Sequence, residues 1–301
     1  MPIAIVLSVL AGALIPAQTA INSRLSGRLG AILPASLVSF AVGSVGLGLA
    51  VLLTGTPVPW VATASTQPWW IWIGGVCGLV FLTLNIVLLP RIGAAATVVL
   101  PLVGQVLGGL VIDLAGAFET AVRPLTVVRA VGGALVVLGA ALVNLVGRGS
   151  SAIGHARPHP LLWVAGILAG ALGAVQTAVN GRLAQVMGSG LASALVSFLV
   201  GTVGLVLVNL VSRQRVHQVT GVRPWMLVGG LMGAAFVLVN AVNAPILGTS
   251  LAVSAALLGQ VLMGLALDHG GHLGIARRPI TPARAVGALL VVAGVVLVRL
   301  G

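Results

Sequence analysis

The sequence AGALIPAQTAINSRL at residues 11–25 returns as AGALGAVQTAVNGRL at residues 169–183. In both copies Gln, Thr and Asn lie deep in otherwise apolar sequence, and the shared positions are a constant 158 residues apart. On a helix, a Gln and an Asn four residues apart point to the same face. The sequence therefore predicts, twice, a helix of small residues that carries a polar stripe.

Composition places the chain in a membrane. Of its 301 residues 59% are hydrophobic and only 6% are charged, and the mean hydropathy is +1.20. About a quarter of the residues of an ordinary globular domain are charged, so this chain could not cover a water-exposed surface. Apolar runs of about 20 residues predict membrane-spanning helices, because a helix closes its own backbone hydrogen bonds. Ten spans are predicted, near residues 3–22, 35–54, 69–89, 94–112, 125–146, 161–180, 191–211, 225–244, 250–267 and 281–299.

The repeat extends through both halves of the chain. Matching residues stay 158 apart through the second span and are 155 apart from the third span onward, as Asn85 and Asn240 are. The sequence therefore predicts a first five-helix repeat at 1–148, a linker at 149–160 and a second five-helix repeat at 161–301. Because five is an odd number, the second copy enters the membrane from the opposite side, and inverted repeats are typical of secondary transporters.

The net charge of +12 comes from fifteen Arg against Asp113, Glu119 and Asp268. Most of the Arg fall in loops on one side of a ten-helix arrangement, where they orient the protein and contact lipid phosphates. They form no basic stripe with interleaved aromatic residues, so we expect no nucleic-acid partner. By the positive-inside rule, both chain termini lie outside the cytoplasm.

Four amides of the repeated stretch are the first candidates for a solute-binding site, namely Gln18, Asn22, Gln176 and Asn180. Buried polar side chains near the membrane midplane line the solute cavity of inverted-repeat transporters. The same amides could instead hydrogen-bond between helices and hold the bundle together. Both interpretations stay open at this point.

Gln105 and Gln260 each follow a Gly in the fourth helix of their half. Either side chain points into a cavity or caps a helix irregularity near a proline, and the sequence favours neither. Ser39 and Ser197 can line a cavity as well, although serine also lets two helices approach closely.

Other repeated residues predict structure. Asn85 and Asn240 lie about one turn before a proline, which favours a role at a helix end over a role in ligand binding. The Gly-x-x-x-Gly sequences at 74–78 and 229–233 indicate close packing of helices.

Asp113 and Asp268 end their predicted helices, with Arg123 and Arg278 across a short loop. An ion pair at the membrane interface or a solvated helix end is the default interpretation, and a salt bridge that acts as a gate is the alternative. Asp and Glu are absent from the middle of the predicted spans, which disfavours a carboxylate proton relay and tight binding of a bare organic cation.

The sequence has no phosphate-binding loop, metal-ligand cluster or Ser/His/Asp set. The five His fall in predicted loops, and Cys77 is the only cysteine. We therefore expect no cofactor, no bound metal and no enzymatic activity.

The doubled pattern AGAL-x-x-x-QTA-x-N-x-RL, followed by SF-x-x-G and later by GQ-x-L-x-G, resembles the YdcZ-like branch of the drug/metabolite transporter (DMT) superfamily. The resemblance covers essentially the whole chain, as two fused copies of a five-helix unit. It implies an all-α, EamA-like fold of ten transmembrane helices in two inverted repeats, in the inner membrane. It also implies cytoplasmic termini, against the Arg pattern. The small multidrug resistance relatives place a proton-binding Glu near the position of Gln18 and Gln176, and a neutral amide cannot take that role.

We therefore expect a secondary transporter that moves a small organic solute, a metabolite or drug-like molecule, across the inner membrane by alternating access. The solute is expected to be neutral, zwitterionic or anionic. The alternative is a non-transporting membrane scaffold whose buried amides only pack helices, and a passive channel ranks last because the polar residues form no continuous lining. The expected partners are the solute and the lipid bilayer. A monomer could suffice, and a homodimer is not excluded.

Overall fold

The computed structural model describes residues 1–145, 160–212, 222–271, 273, 277 and 279–301, without the side chains of residues 82, 85–87, 89–98 and 145. These residues form α-helices joined by short loops and 3-10 turns, and no β-strand occurs among them. The helices are α1 (Pro2–Leu29), α2 (Ile32–Thr54), α3 (Trp60–Thr66), α4 (Gly74–Ala115), α5 (Val127–Leu145), α6 (Pro160–Met187), α7 (Gly190–Ser212), α8 (Val228–Leu247), α9 (Thr249–Gly270) and α10 (Pro282–Leu300).

Eight helical segments of the described chain are long and apolar enough to cross a membrane. They correspond to α1, α2 and α5 to α10, and many of their large apolar side chains are exposed, as a lipid-facing surface requires. An all-α integral membrane protein is therefore confirmed. The predicted spans at 69–89 and 94–112 both fall within α4, so the count of ten spans stays a prediction.

The first part of α4 runs antiparallel to α6. Gly74 faces the side chain of Asn180, and Gly78, one turn later on α4, faces Gln176, one turn earlier on α6. The small glycines leave room for the two amides, so the helices pack closely as the Gly-x-x-x-Gly sequence predicts.

The last part of α4 runs parallel to the same helix. Leu100 contacts Gly166, and Gly108 contacts Ala171, so residue numbers increase in the same direction along both helices. A straight helix of 42 residues would be about 63 Å long and could run along α6 in one direction only. The chain direction of α4 therefore reverses between Gly78 and Leu100.

Residues that the repeat makes equivalent meet each other across the molecule. The rings of Phe40 and Phe198 stack with centroids 5.0 Å apart, and the hydroxyls of Ser44 and Thr202 lie 2.9 Å apart. Each pair consists of the same position in the two copies, 158 residues apart. Such self-matching contacts are typical of two units related by a two-fold axis.

The same matching holds α5 against α10. Gly132 packs on Gly294, and Gly139 packs on Gly287, which makes the two helices antiparallel. Gly132 is the counterpart of Gly287, and Gly139 is the counterpart of Gly294. Because glycines sit at both crossings, the backbones come into direct contact.

The helix bundle has two ends, named here after the acidic residue that lies at each. The Asp113 end carries the residues between α4 and α5, between α6 and α7, and between α8 and α9. The Asp268 end carries the residues between α1 and α2 and those between α9 and α10. Of the described Arg, four lie at the Asp113 end and five at the Asp268 end, at positions 123, 129, 182 and 299 and at positions 24, 28, 223, 277 and 284.

The predicted excess of Arg on one side thus rests on positions 91, 148, 157, 213, 215 and 278. The side chain at position 91 is not described, and the other five positions lie outside the described residues, as most of the predicted linker does. The orientation of the chain in the membrane therefore stays a prediction.

Candidate functional site

A cavity of about 90 Å³ lies in the centre of the bundle, between α1, α4, α6, α8 and α9. Its lining contains amides, one hydroxyl and apolar side chains, without a charged residue. We call it the central cavity. Its polar lining residues are Gln105, Gln176, Thr177, Asn180, Asn240 and Gln260.

Both halves of the chain build the central cavity. Three pairs of counterparts line it together, namely Ile15 with Gly173, Phe81 with Phe236, and Gln105 with Gln260. Each pair puts the same position of the two copies into one wall, so the cavity lies where the two halves meet.

The cavity is also asymmetric. Gln176 and Asn180 line it, whereas their counterparts Gln18 and Asn22 do not. Since α6 runs toward the Asp113 end, the cavity extends from the centre of the bundle toward that end. Four of the six amides predicted to bind solute are thus brought together, and Gln18 and Asn22 lie elsewhere.

Gln18 and Asn22 pack into α8. A Cβ added at Gly233 would lie 2.5 Å from Nε2 of Gln18, and a Cβ added at Gly229 would overlap the amide of Asn22. The polar stripe of α1 therefore fits the Gly-x-x-x-Gly face of the other half, as the stripe of α6 fits α4.

Ser39 and Ser197 hold the two Asn side chains. The Nδ2 of Asn22 donates to Oγ of Ser39 at 3.1 Å, and the Nδ2 of Asn180 donates to Oγ of Ser197 at the same distance. Ser39 and Ser197 do not line the central cavity. Ser197 thus contacts the candidate site through Asn180, whereas Ser39 holds Asn22 away from the cavity.

Two buried oxygens border the central cavity without a hydrogen-bond donor. The Oδ1 atoms of Asn180 and Asn240 have no partner, and the residues are only 2% and 3% exposed. Oδ1 of Asn22, which does not line the cavity, has no partner either. An unsatisfied buried acceptor costs free energy, so Asn180 and Asn240 are the lining residues that still lack a donor. The sequence favoured a helix-end role for Asn240, although its repetition as Asn85 is a signal that could have nominated it.

Asp113 is fully buried and has four donors. Its carboxylate accepts from Nη2 of Arg129 at 2.8 Å, from the backbone nitrogens of Thr249 and Ser250 at 2.7 and 3.1 Å, and from Oγ of Ser250 at 2.6 Å. The carboxylate therefore caps the first turn of α9, where the helix dipole favours a negative charge.

The predicted partner of Asp113 was wrong. Asp113 pairs with Arg129, whereas the side chain of Arg123 donates to the carbonyl oxygen of Ile246 at 3.4 Å. A buried carboxylate needs a buried cation, and Arg129 on the first turn of α5 is 5% exposed. Arg123 lies in the loop and keeps one side toward solvent.

The second half repeats this pairing. Asp268 forms an ion pair with Arg284, which also donates to the carbonyl oxygen of Val143. In each half the Asp and its Arg are 16 residues apart, a spacing that could have identified the pair from sequence. The predicted gate residue Arg278 lies outside the described residues.

A second cavity, of about 60 Å³, lies at the Asp113 end one turn beyond the central cavity on α6 and α8. We call it the vestibule. It is lined by Glu119, Thr120, Ala121, Arg123, Ala178, Gly181, Arg182, Gln185, Ala244, Pro245 and Gly248. Inside it, Nη2 of Arg182 pairs with Glu119. Sequence reasoning nominated neither residue, although Arg182 recurs as Arg24 and Glu119 is the only Glu.

Gly248 joins α8 to α9 beside the vestibule. Its φ of 82° is unfavourable for other residues, and an added Cβ would lie 2.6 Å from Nε of Arg123. Glycine therefore lets the Asp113 carboxylate and the Arg123 guanidinium approach the start of α9.

The counterparts Arg24 and Arg182 differ in their hydrogen bonds. Nε of Arg24 donates to the carbonyl oxygen of Leu273 at 3.0 Å, which ties α1 to the loop at the Asp268 end. The counterpart of Leu273 is Phe118, and both have a left-handed backbone, with φ of 53° and 59°. Nε of Arg182 is buried and has no partner. The hydrogen bond from the Arg Nε to a loop carbonyl, called the tie below, is thus formed at the Asp268 end and is not formed by Arg182 at the Asp113 end.

The tryptophan beside each Arg differs as well. The guanidinium of Arg24 lies over the ring of Trp225, 5.8 Å from its centroid. The counterpart Trp70 packs edge-on against Phe118, with centroids 5.5 Å apart. The counterpart Arg and Trp residues of the two copies therefore have different neighbours at the two ends.

A family model described as "Putative inner membrane exporter, YdcZ" matches residues 3–142 and 161–297. The two matches cover both copies of the repeat and nearly the whole chain. The chain belongs to the YdcZ family. As a YdcZ family member it is a multi-pass protein of the inner membrane, in a family described by export rather than by catalysis. The resemblance and the location predicted from sequence are confirmed.

The fold also occurs among solved structures. One crystal structure, described only as that of a protein, matches with a TM-score of 0.67 over 99% of this chain and 96% of the other. At 18% sequence identity the similarity shows the fold alone. No curated protein matches the chain.

Proposed function

We propose that this YdcZ family member is a secondary transporter that exports a small organic solute by alternating access, with the central cavity as its binding site. The observation that carries the proposal is the composition of that cavity, in which amides from both halves of the chain converge without a fixed charge. Amides both donate and accept hydrogen bonds, so they suit a polar organic solute better than a metal or a bare cation.

The repeat assigns the amides different tasks during transport. Gln105 and Gln260 are counterparts in one wall and contact the solute in both access states. Gln176 and Asn180 contact it while the cavity extends toward the Asp113 end. Gln18 and Asn22 take their place after the two halves exchange conformations, as inverted repeats do.

The architecture behind this proposal is ten spans in two inverted five-helix repeats, at 1–148 and 161–301, with a linker at 149–160. The antiparallel packing of counterpart helices and the reversal within α4 support it. Two fused copies supply both halves of the transport path, so a monomer suffices.

Alternating access also needs ends that open in turn. The tie from Arg24 to Leu273 closes the Asp268 end, and the missing tie of Arg182 leaves the Asp113 end open. In the exchanged state Arg182 donates to the carbonyl oxygen of Phe118, and Arg24 is released. Of the predicted gate residues, Asp113 and Arg123 lie at one of these ends and Asp268 at the other, whereas Arg278 lies outside the described residues.

One observation favours the second candidate function, a membrane scaffold that transports nothing. The Asn–Ser hydrogen bonds and the glycines opposite the amides also explain why polar residues are buried here. A scaffold needs these contacts for stability. Unpartnered oxygens occur at the cavity, on Asn180 and Asn240, and away from it, on Asn22, so they fit either function.

Thermal unfolding of the purified protein in detergent, with a panel of neutral, anionic, zwitterionic and cationic solutes, separates the two functions. A solute that binds the folded state raises the melting temperature with its concentration. We expect Gln176→Ala and Gln260→Ala to abolish this rise, and Gln67→Ala, in the loop after α3, to keep it. A panel that never raises the melting temperature of wild type, with variants that are only less stable, would support the scaffold.

A further inference from the structure

We propose that the vestibule is a binding subsite for an anionic group of the solute, in its simplest form a carboxylate, held by Arg182 and Arg123. This proposal rests on the proposed function, because the vestibule adjoins the central cavity along α6 and α8.

Arg182 has a donor that no protein atom satisfies. Its Nη2 pairs with Glu119, but its Nε is buried without an acceptor. Nε and Nη2 form a planar fork that fits the two oxygens of one carboxylate. The equivalent Nε of Arg24 has a protein acceptor, because it donates to the carbonyl oxygen of Leu273. At the Asp113 end no described atom takes the place of that acceptor, and we assign it to a solute oxygen because Arg182 lines the vestibule.

Arg123 supplies the positive charge that the vestibule does not neutralise. The charges at this end fall into pairs, Asp113 with Arg129 and Glu119 with Arg182. Arg123 has no ion pair within this group, and the one hydrogen bond that its side chain makes to the described residues, to the carbonyl oxygen of Ile246, is 3.4 Å long. The vestibule therefore carries an excess positive charge, which attracts an anion and repels a cation.

The adjoining central cavity offers the complementary groups. The unpartnered oxygens of Asn180 and Asn240 accept hydrogen bonds, and Gly181 and Ala244 of the vestibule wall follow closely on the same two helices. Solute N–H or O–H groups can thus be bound in the cavity and a carboxylate in the vestibule. Small hydroxy acids, amino acids and N-acyl amino acids have this combination.

The test compares carboxylates with their uncharged amides. Wild-type protein in detergent is unfolded thermally with lactate, alanine and N-acetylalanine, and with lactamide and N-acetylalaninamide, at equal ionic strength. We expect at least one carboxylate to raise the melting temperature where its amide does not. Arg182→Gln and Arg123→Gln should each weaken that apparent affinity about tenfold or more. Arg28→Gln, at an exposed position of the other end, should leave it unchanged.

A second variant guards against simple loss of stability. Glu119→Gln removes the carboxylate that competes for Arg182, so it should tighten binding of the same solute, which a damaged protein cannot do. The proposal is overturned if no carboxylate exceeds its amide, or if the response survives in both Arg variants. Amides that bind and depend on Gln176 would overturn the anion subsite alone, whereas a chain that responds to no solute would count against the transporter as well.

Discussion

The Asp113 end and the Asp268 end are built from two copies of one sequence, yet they adopt different structures. At the Asp268 end Arg24 is tied to Leu273 and lies over Trp225. At the Asp113 end the counterpart Nε of Arg182 has no partner, and the vestibule lies one turn beyond the central cavity. The counterparts Arg24 and Arg182 therefore take two different arrangements, beside neighbours that differ between the copies, since Phe118 and Glu119 correspond to Leu273 and Gly274.

The Asp–Arg ion pairs at the two ends also differ, in how far the Asp side chain is buried. The Asp113 side chain is 0% exposed, whereas the Asp268 side chain is 20% exposed. Asp113 also caps α9 at Thr249 and Ser250, and the counterpart positions of those two residues lie outside the described side chains. Substitution of Asp113 should therefore lower the free energy of unfolding more than substitution of Asp268.

Asp113→Ala has the largest expected effect. It leaves the charge of Arg129 buried without a carboxylate and removes the cap of α9, which together should lower the free energy of unfolding by about 3–5 kcal/mol. Asp268→Ala should cost less, since its site is partly exposed. Unfolding in detergent checks this, and Asp113→Asn, which keeps some hydrogen bonds, is the milder variant. Equal losses at the two ends would remove this difference between the ends.

Alanine substitution of the glutamines tests whether the two copies differ at the cavity. In the conformation described, Gln176→Ala should weaken binding of any solute by about tenfold, and Gln18→Ala should have little effect, because Gln18 does not line the cavity. Gln105→Ala and Gln260→Ala should act alike. Binding by a thermal-shift titration would show this order, and equal effects of Gln18 and Gln176 would contradict the asymmetry.

Removing the Arg24–Leu273 hydrogen bond should lower stability more than substituting its counterpart Arg182. Arg24→Gln removes the hydrogen bond to Leu273 and the contact with Trp225, and we expect a loss of about 1–2 kcal/mol in the free energy of unfolding. Arg182→Gln should cost less than about 1 kcal/mol, because its ion pair is partly exposed. Denaturant titrations of the two variants side by side measure the difference, and a larger loss for Arg182→Gln would reverse the assignment of the closed end.

The smallest effect is expected from the Arg182–Glu119 pair itself. Its side chains are 27% and 52% exposed, so a double-mutant cycle with Arg182→Gln and Glu119→Gln should give a coupling of about 0.2–1 kcal/mol. The coupling should decrease in about 1 M salt, where exposed charges are screened. A coupling above about 2 kcal/mol that persists in salt would mean a fixed structural pair instead of a contact that a solute can displace.

Sequence reasoning found most of the candidate site and missed its ends. Gln105, Gln176, Asn180 and Gln260 were nominated because buried amides that recur at fixed spacing need a reason, and all four line one cavity. The partner of Asp113 was missed because proximity in the loop favoured Arg123, whereas burial decides which cation a carboxylate takes.

The sequence by itself determined that this protein is helical, lies in a membrane and contains one unit twice, because hydropathy, residue spacing and the double motif are properties of the chain alone. Both copies of the Gln/Asn stripe pack against glycines of the other half, and the tertiary structure decided which copy also lines the cavity. That choice could not be derived from residues identical in both copies. It follows from how the two halves pack, since a close-packed interface has discrete arrangements and one structure shows one of them.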